Sequence, residues 1–207
     1  MLRDPTHLYE GQLDPRTERI AEIFSTIGQP VFLPIPVFLL LCLLTEDAAS
    51  YALTAVLSLL FVAAIPTIVT YSYSIKMGRK DGDIPDRTKR TVPLIIGVSS
   101  YAVGTVAMYL IGAPKIITVL MLAYTVVTMF ILLVTLRWKI SIHAVGVIGP
   151  TMALSYAFWP WGLLYLLWLP PIVWSRYVLR KHTPAQLVAG ALSGLVITGI
   201  LFILLLQ

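Results

Sequence analysis

The sequence predicts an all-α, polytopic bundle of transmembrane helices, and three observations carry that prediction. Only 12% of the 207 residues are charged, about half the share of roughly 25% in a soluble domain, while 58% are hydrophobic and mean hydropathy is +0.87. The apolar residues lie in long runs, several near the ~20 residues that a membrane crossing needs. Within those runs they are continuous rather than alternating, which excludes the strands of a membrane barrel. One membrane domain is expected, residues 29–207, preceded by a polar cytoplasmic or interfacial arm, residues 1–28.

The arm holds eight of the 25 charged residues and lacks the ordered basic and apolar regions of a leader, so no cleavable signal is expected. Asp14-Pro15 is a helix start, with Asp as cap and Pro in the first turn. Ile20, Ile23, Phe24 and Ile27 follow at helical spacing and predict an amphipathic helix lying in the interface or on the bundle. Apolar runs then fall at 29–45, 50–71, 92–113, 116–136, 141–158, 161–174 and 187–206. The first is interrupted by Pro30, Pro34 and Pro36; the sixth ends on Pro170-Pro171, which must break or kink it. Seven spans are expected, with six as the alternative. Cys42 is the single cysteine, so an intrachain disulfide is excluded. Gly190, Gly194 and Thr198 give the last run a small-residue face for close helix packing.

Charge sets the orientation. With seven spans, fourteen of the 15 Lys and Arg residues fall on the side of the N-terminus, and only Lys115 on the other. That imbalance in short loops places the N-terminus and its face in the cytoplasm. No charged residue falls in the middle of a run, which argues against a proton pump, a voltage sensor or a charge-lined transporter. The net charge of +5 is bunched at this one face, so a membrane surface or a phosphorylated lipid is the expected partner rather than a nucleic acid. A homodimer is left open.

Span parity brings three polar segments to that face: the loop from Lys76 to Pro93, the link Lys139-Ile-Ser141-Ile-His143, and the hinge Ser175-Arg176 to His182. Each has a bland counterpart, since arginine snorkels at membrane boundaries and histidine caps helices. Lys and Arg gathered without matching acids in two of the three segments instead make a site for a multiply charged anion, most simply phosphate. Two histidines beside it supply a nucleophile and a proton donor. Runs beginning near Ser141 and Pro184 add helix N-termini that point at the same place.

These segments resemble the signature of the type 2 phosphatidic acid phosphatase superfamily: Lys-x6-Arg-Pro, then Pro-Ser-Gly-His, then Ser-Arg-x5-His-x3-Asp. Lys80 and Arg87 have the first spacing, Ser141 and His143 fit the second, and Ser175, Arg176 and His182 fit the third. The likeness covers roughly residues 70–200. It implies that Lys80, Arg87 and Arg176 hold phosphoryl oxygens with the Ser141 hydroxyl and the Ile142 N–H. It further implies that His182 attacks phosphorus to form a phosphohistidine, that His143 protonates the leaving alkoxide, and that neither metal nor cofactor is required. The expected function is hydrolysis of a phosphate or diphosphate monoester of a lipid, isoprenoid or phosphatidyl, at the cytoplasmic face.

Four positions depart from that signature: Thr88 and Ile140 stand for prolines, Ile142 for glycine and Gln186 for aspartate. Gln186 can accept the imidazole N–H but brings no charge. No Asp or Glu follows Asp86, so a substitute carboxylate has to come from Asp81, Asp83 or Asp86. Those three acids also define an alternative, a metal-dependent lipid phosphotransferase or prenyltransferase. A third reading is a non-catalytic lipid-phosphate-binding protein.

Overall fold

The computed structural model describes residues 13–78, 82, 84 and 86–207, and every regular element among them is helical. Lys80, Asp81 and Asp83, like the first twelve residues, lie outside the described part. Four helices are long and apolar enough to cross a membrane: Ala48–Lys76, Arg87–Leu110, Lys115–Thr135 and Pro184–Leu205; the apolar helix Ile142–Ala157 is shorter. This marks a membrane protein.

Helix α1 (Pro15–Ile27) starts as its sequence dictates: Asp14 accepts the Thr17 N–H at 3.1 Å and Pro15 takes the first turn. Of the two expected arrangements, the isoleucine stripe does not pack on the bundle. Ala21 and Ser25 are buried, whereas Ile20, Ile23 and Ile27 are 39, 50 and 45% exposed. Close approach to a later helix requires small side chains; a Cβ on Gly28 would lie 2.6 Å from Ile172. The isoleucines therefore turn outward, where lipid can receive them.

The proline-rich segment that follows coils in 3₁₀-like turns into α2 (Pro34–Cys42) and out again through Thr45. At 1.5–2.0 Å rise per residue, 29–45 covers about 30 Å. Next, α3 (Ala48–Leu59) and α4 (Ile65–Lys76) form one rod through a π-helical turn at Leu60–Ala64. The wide turn accommodates Pro66, which has no N–H to donate, and Ser100 Oγ donates to the Phe61 carbonyl at 2.7 Å. A 3₁₀ turn (Arg87–Arg90) leads into α5 (Thr91–Leu110), which packs along α6 (Lys115–Thr135) as the most extensive helix pair.

α7 (Ile142–Ala157) is buried along most of its length and packs on α9 (Pro184–Leu205). Between them the chain returns as a 3₁₀ helix (Trp161–Trp168) joined end to end with α8 (Leu169–Val178). At 2.0 and 1.5 Å per residue that rod is about 31 Å long. Pro170 and Pro171 do not break it; they occupy the first turn of α8, where a missing N–H costs nothing.

Candidate anion site

One end of the bundle collects Gln29, Gly82, Ile84, Arg90, the start of α7 at Ile142 and His143, and the hinge residues Arg176 and His182 around a cavity of about 110 Å³. Arg90, Arg176, His143 and His182 line one part of it; Pro66, Pro93, Leu94, Gly97 and Tyr101 give it an apolar wall. No carboxylate lines it among the described residues. A smaller cavity of about 40 Å³ shares Pro30, Tyr101, Thr128 and Ile142 with it and continues inward.

The hinge builds this geometry by a local device. Where α8 ends, Arg180 adopts a left-handed φ of 56°, a position usually given to glycine. The chain then folds back so that the Arg176 carbonyl accepts the N–H groups of both Lys181 (3.0 Å) and His182 (3.2 Å). Five intervening residues are what that turn consumes, and it seats His182 against the root of Arg176. Arg176 is 2% exposed and its Nη1 donates to Ser25 Oγ at 2.8 Å.

His182 is then fixed from the other side by the start of α9. Thr183 and Gln186 form a capping box: the Gln186 N–H donates to Thr183 Oγ1 (3.3 Å), and Gln186 Oε1 accepts the Thr183 N–H (3.2 Å). The same Oε1 lies 3.1 Å from His182 Nδ1. An amide oxygen only accepts, so Nδ1 carries the hydrogen and Nε2 keeps its lone pair. Nε2 has no hydrogen-bond partner among the described residues. Burial first, then the charges of Arg176, Arg90 and Lys139 and the nearby His143, hold the His182 pKa well below its ordinary value.

The link supplies the start of α7. Ser141 is the N-cap, fully buried; its N–H donates to the Gln186 carbonyl at 3.2 Å, and its hydroxyl has no partner among the described residues. Gly190 permits this contact, because a Cβ there would lie 2.3 Å from the Ser141 carbonyl oxygen. Ile142 and His143 follow on the first turn and face the cavity.

Not every expected residue joins the site. Arg87 turns to the end of α6, its Nη1 donating to the Leu136 carbonyl at 2.7 Å and the Thr135 carbonyl at 3.3 Å. Its place is taken by Arg90, one 3₁₀ turn later, 7% exposed and anchored through Nε to the Ile84 carbonyl. Lys139, 8% exposed, adds a third buried cation. Both stand at the mouth of an apolar run, the one sequence signal that could have singled them out. Ser175 is buried and back-bonded to the Ile172 carbonyl at 2.7 Å, outside the cavity lining. Asp86 caps the 3₁₀ turn through Thr88, whose hydroxyl and N–H hold its carboxyl below the usual range. Among the described residues no three His, Cys, Asp or Glu side chains are grouped to hold a metal ion. Compared with known proteins, the chain matches no family model, no curated protein and no solved structure.

Proposed function

We propose that the chain is a membrane phosphatase of the type 2 phosphatidic acid phosphatase kind, acting on the phosphate or diphosphate monoester of a lipid. The observation that carries this reading is the pairing of two histidines with two buried arginines in one cavity that no described carboxylate lines. A multiply charged phosphoryl group complements a cavity lined by buried guanidinium groups, which can meet its oxygens with charge-assisted hydrogen bonds. A neutral His182 with its Nε2 lone pair free is poised as a nucleophile rather than as another cation.

In the proposed reaction Nε2 of His182 attacks phosphorus in line, forming the P–N bond as the P–O bond to the lipid breaks. His143 gives the leaving oxygen its proton. Water then attacks the phosphohistidine, His143 takes up a proton, and phosphate leaves with His182 restored. Arg90, Arg176 and Lys139 stabilise the charge on the phosphoryl oxygens, together with Lys80 and the α7 N-terminus. The apolar wall faces the substrate's hydrocarbon, which favours an isoprenoid or phosphatidyl tail over a soluble ester.

The topology that goes with this reading has seven crossings, the segments 29–45 and 161–178 each counting as one, with the N-terminus and the site cytoplasmic. The experiment is phosphate release from a polyprenyl diphosphate and from phosphatidate in detergent, with and without a chelator. Chelator-resistant release supports the phosphohistidine route. Release abolished by chelator selects a metal-dependent enzyme, and binding of inorganic phosphate without release selects a binding protein. A tag on Met1 reachable only from the cytoplasm, with one on Gln207 reachable only from outside, is the expected orientation.

A further inference from the structure

Arg176 has the largest fully buried side chain among the described residues, and one of its hydrogen bonds runs to a helix outside the motif-bearing segments. Ser25 stands 151 residues earlier, on the face of α1 that packs against α8, and is itself buried. The two helices are locked at close range where Gly28 meets Ile172, one turn before Arg176 on α8. The close approach holds the hydroxyl beside the guanidinium. A guanidinium is a rigid fork of five N–H donors, so holding one nitrogen restricts the directions the others can take.

We propose that Ser25 is a positioning residue of the anion site: its Oγ, accepting from Arg176 Nη1, orients the guanidinium so that the part of it that lines the cavity meets an anion there. α1 is thereby a working part of the site and not only an outer strut. The proposal rests on the anion-binding reading above.

The test uses the full chain in nanodiscs, with inorganic phosphate as the binding probe and polyprenyl diphosphate as the turnover probe. Ser25→Ala should weaken phosphate binding and raise KM by about tenfold, the size expected for a lost hydrogen bond to a charged group. Ser25→Thr, which returns the hydroxyl, should recover the wild-type values to within about twofold. Against an Arg176→Ala background, Ser25→Ala should add nothing, since the group it positions is gone. Wild-type affinity in Ser25→Ala overturns the proposal, and so do fully additive losses in the double variant, which would mean that α1 acts through packing alone. A wild-type protein that neither binds phosphate nor releases it overturns the anion-site reading itself, and this inference with it.

Discussion

The two ends of the bundle are made by the same helices but treat their polar groups in opposite ways. At the end away from the site, the turns near residues 44–50 and 111–114 border a groove of about 340 Å³. Its charged groups are spent on local structure or left in the open: Asp47 accepts the Ala49 and Ser50 N–H groups at 2.8 and 2.9 Å, and Glu46 and Lys115 are exposed. At the site end the cavity is about 110 Å³, yet Arg90, Arg176, His143 and His182, all buried, line it. Room alone does not mark a site. Polar groups withdrawn from water, at a desolvation cost of several kcal/mol for an ion, do.

The largest effect that could break this contrast is at His182. Replacing it with Ala should abolish phosphate release and the acid-labile phosphoenzyme together, whereas His143→Ala should lower the rate by ~10²–10⁴ and leave a slow residue. Single-turnover measurements with labelled substrate separate the two. Undiminished turnover in His182→Ala would remove the proposed nucleophile.

Next in size is the exchange of roles between two arginines. Arg90→Ala should weaken inorganic phosphate binding by about 10- to 100-fold, the loss of a charge-assisted contact inside a buried site. Arg87→Ala should stay within about threefold, because its guanidinium caps the α6 carbonyls. Calorimetric titration of both variants decides, and the reverse order would put Arg87 back in the site.

A smaller effect concerns pH. His182 must be unprotonated to attack, and burial with its cationic neighbours holds its pKa below the ordinary value. The acidic limb of the rate profile should therefore lie below ~6.5, with turnover lost only as pH falls through the lowered pKa. Gln186→Glu keeps the capping box and adds a negative charge beside Nδ1, which favours the imidazolium. Its acidic limb should move to higher pH, and an unmoved limb would mean that another group titrates.

The smallest effect belongs to the far end. Asp47→Ala should lower the unfolding temperature slightly through the lost cap of α3 while leaving turnover per folded molecule unchanged. A thermal unfolding shift with an unaltered KM is the expected pair of results, and a raised KM would show that the two ends are coupled.

Much of this was legible before any coordinate. Composition and continuous apolar runs imply membrane helices because a bilayer leaves no other use for them, and Asp14-Pro15 and Thr183-Pro184 mark helix starts because capping is local. Spacing also singled out His143, Arg176 and His182, which line one cavity. Other features had no local signature. Whether Arg87 or Arg90 enters the cavity depends on where the end of α6 lies, and both precede the same apolar run.

What the sequence determined by itself, then, is what hydropathy and short-range hydrogen bonding can determine: helical segments and their caps. Tertiary structure alone decided which face of α1 is buried, since the small side chains at Ala21, Ser25 and Gly28 win over three isoleucines only when α8 approaches this closely. It alone decided that Gln186 serves both the cap of α9 and the ring of His182, and that a serine 151 residues away holds Arg176. Such pairings are made by distance in space, and a pattern along the chain carries no record of them.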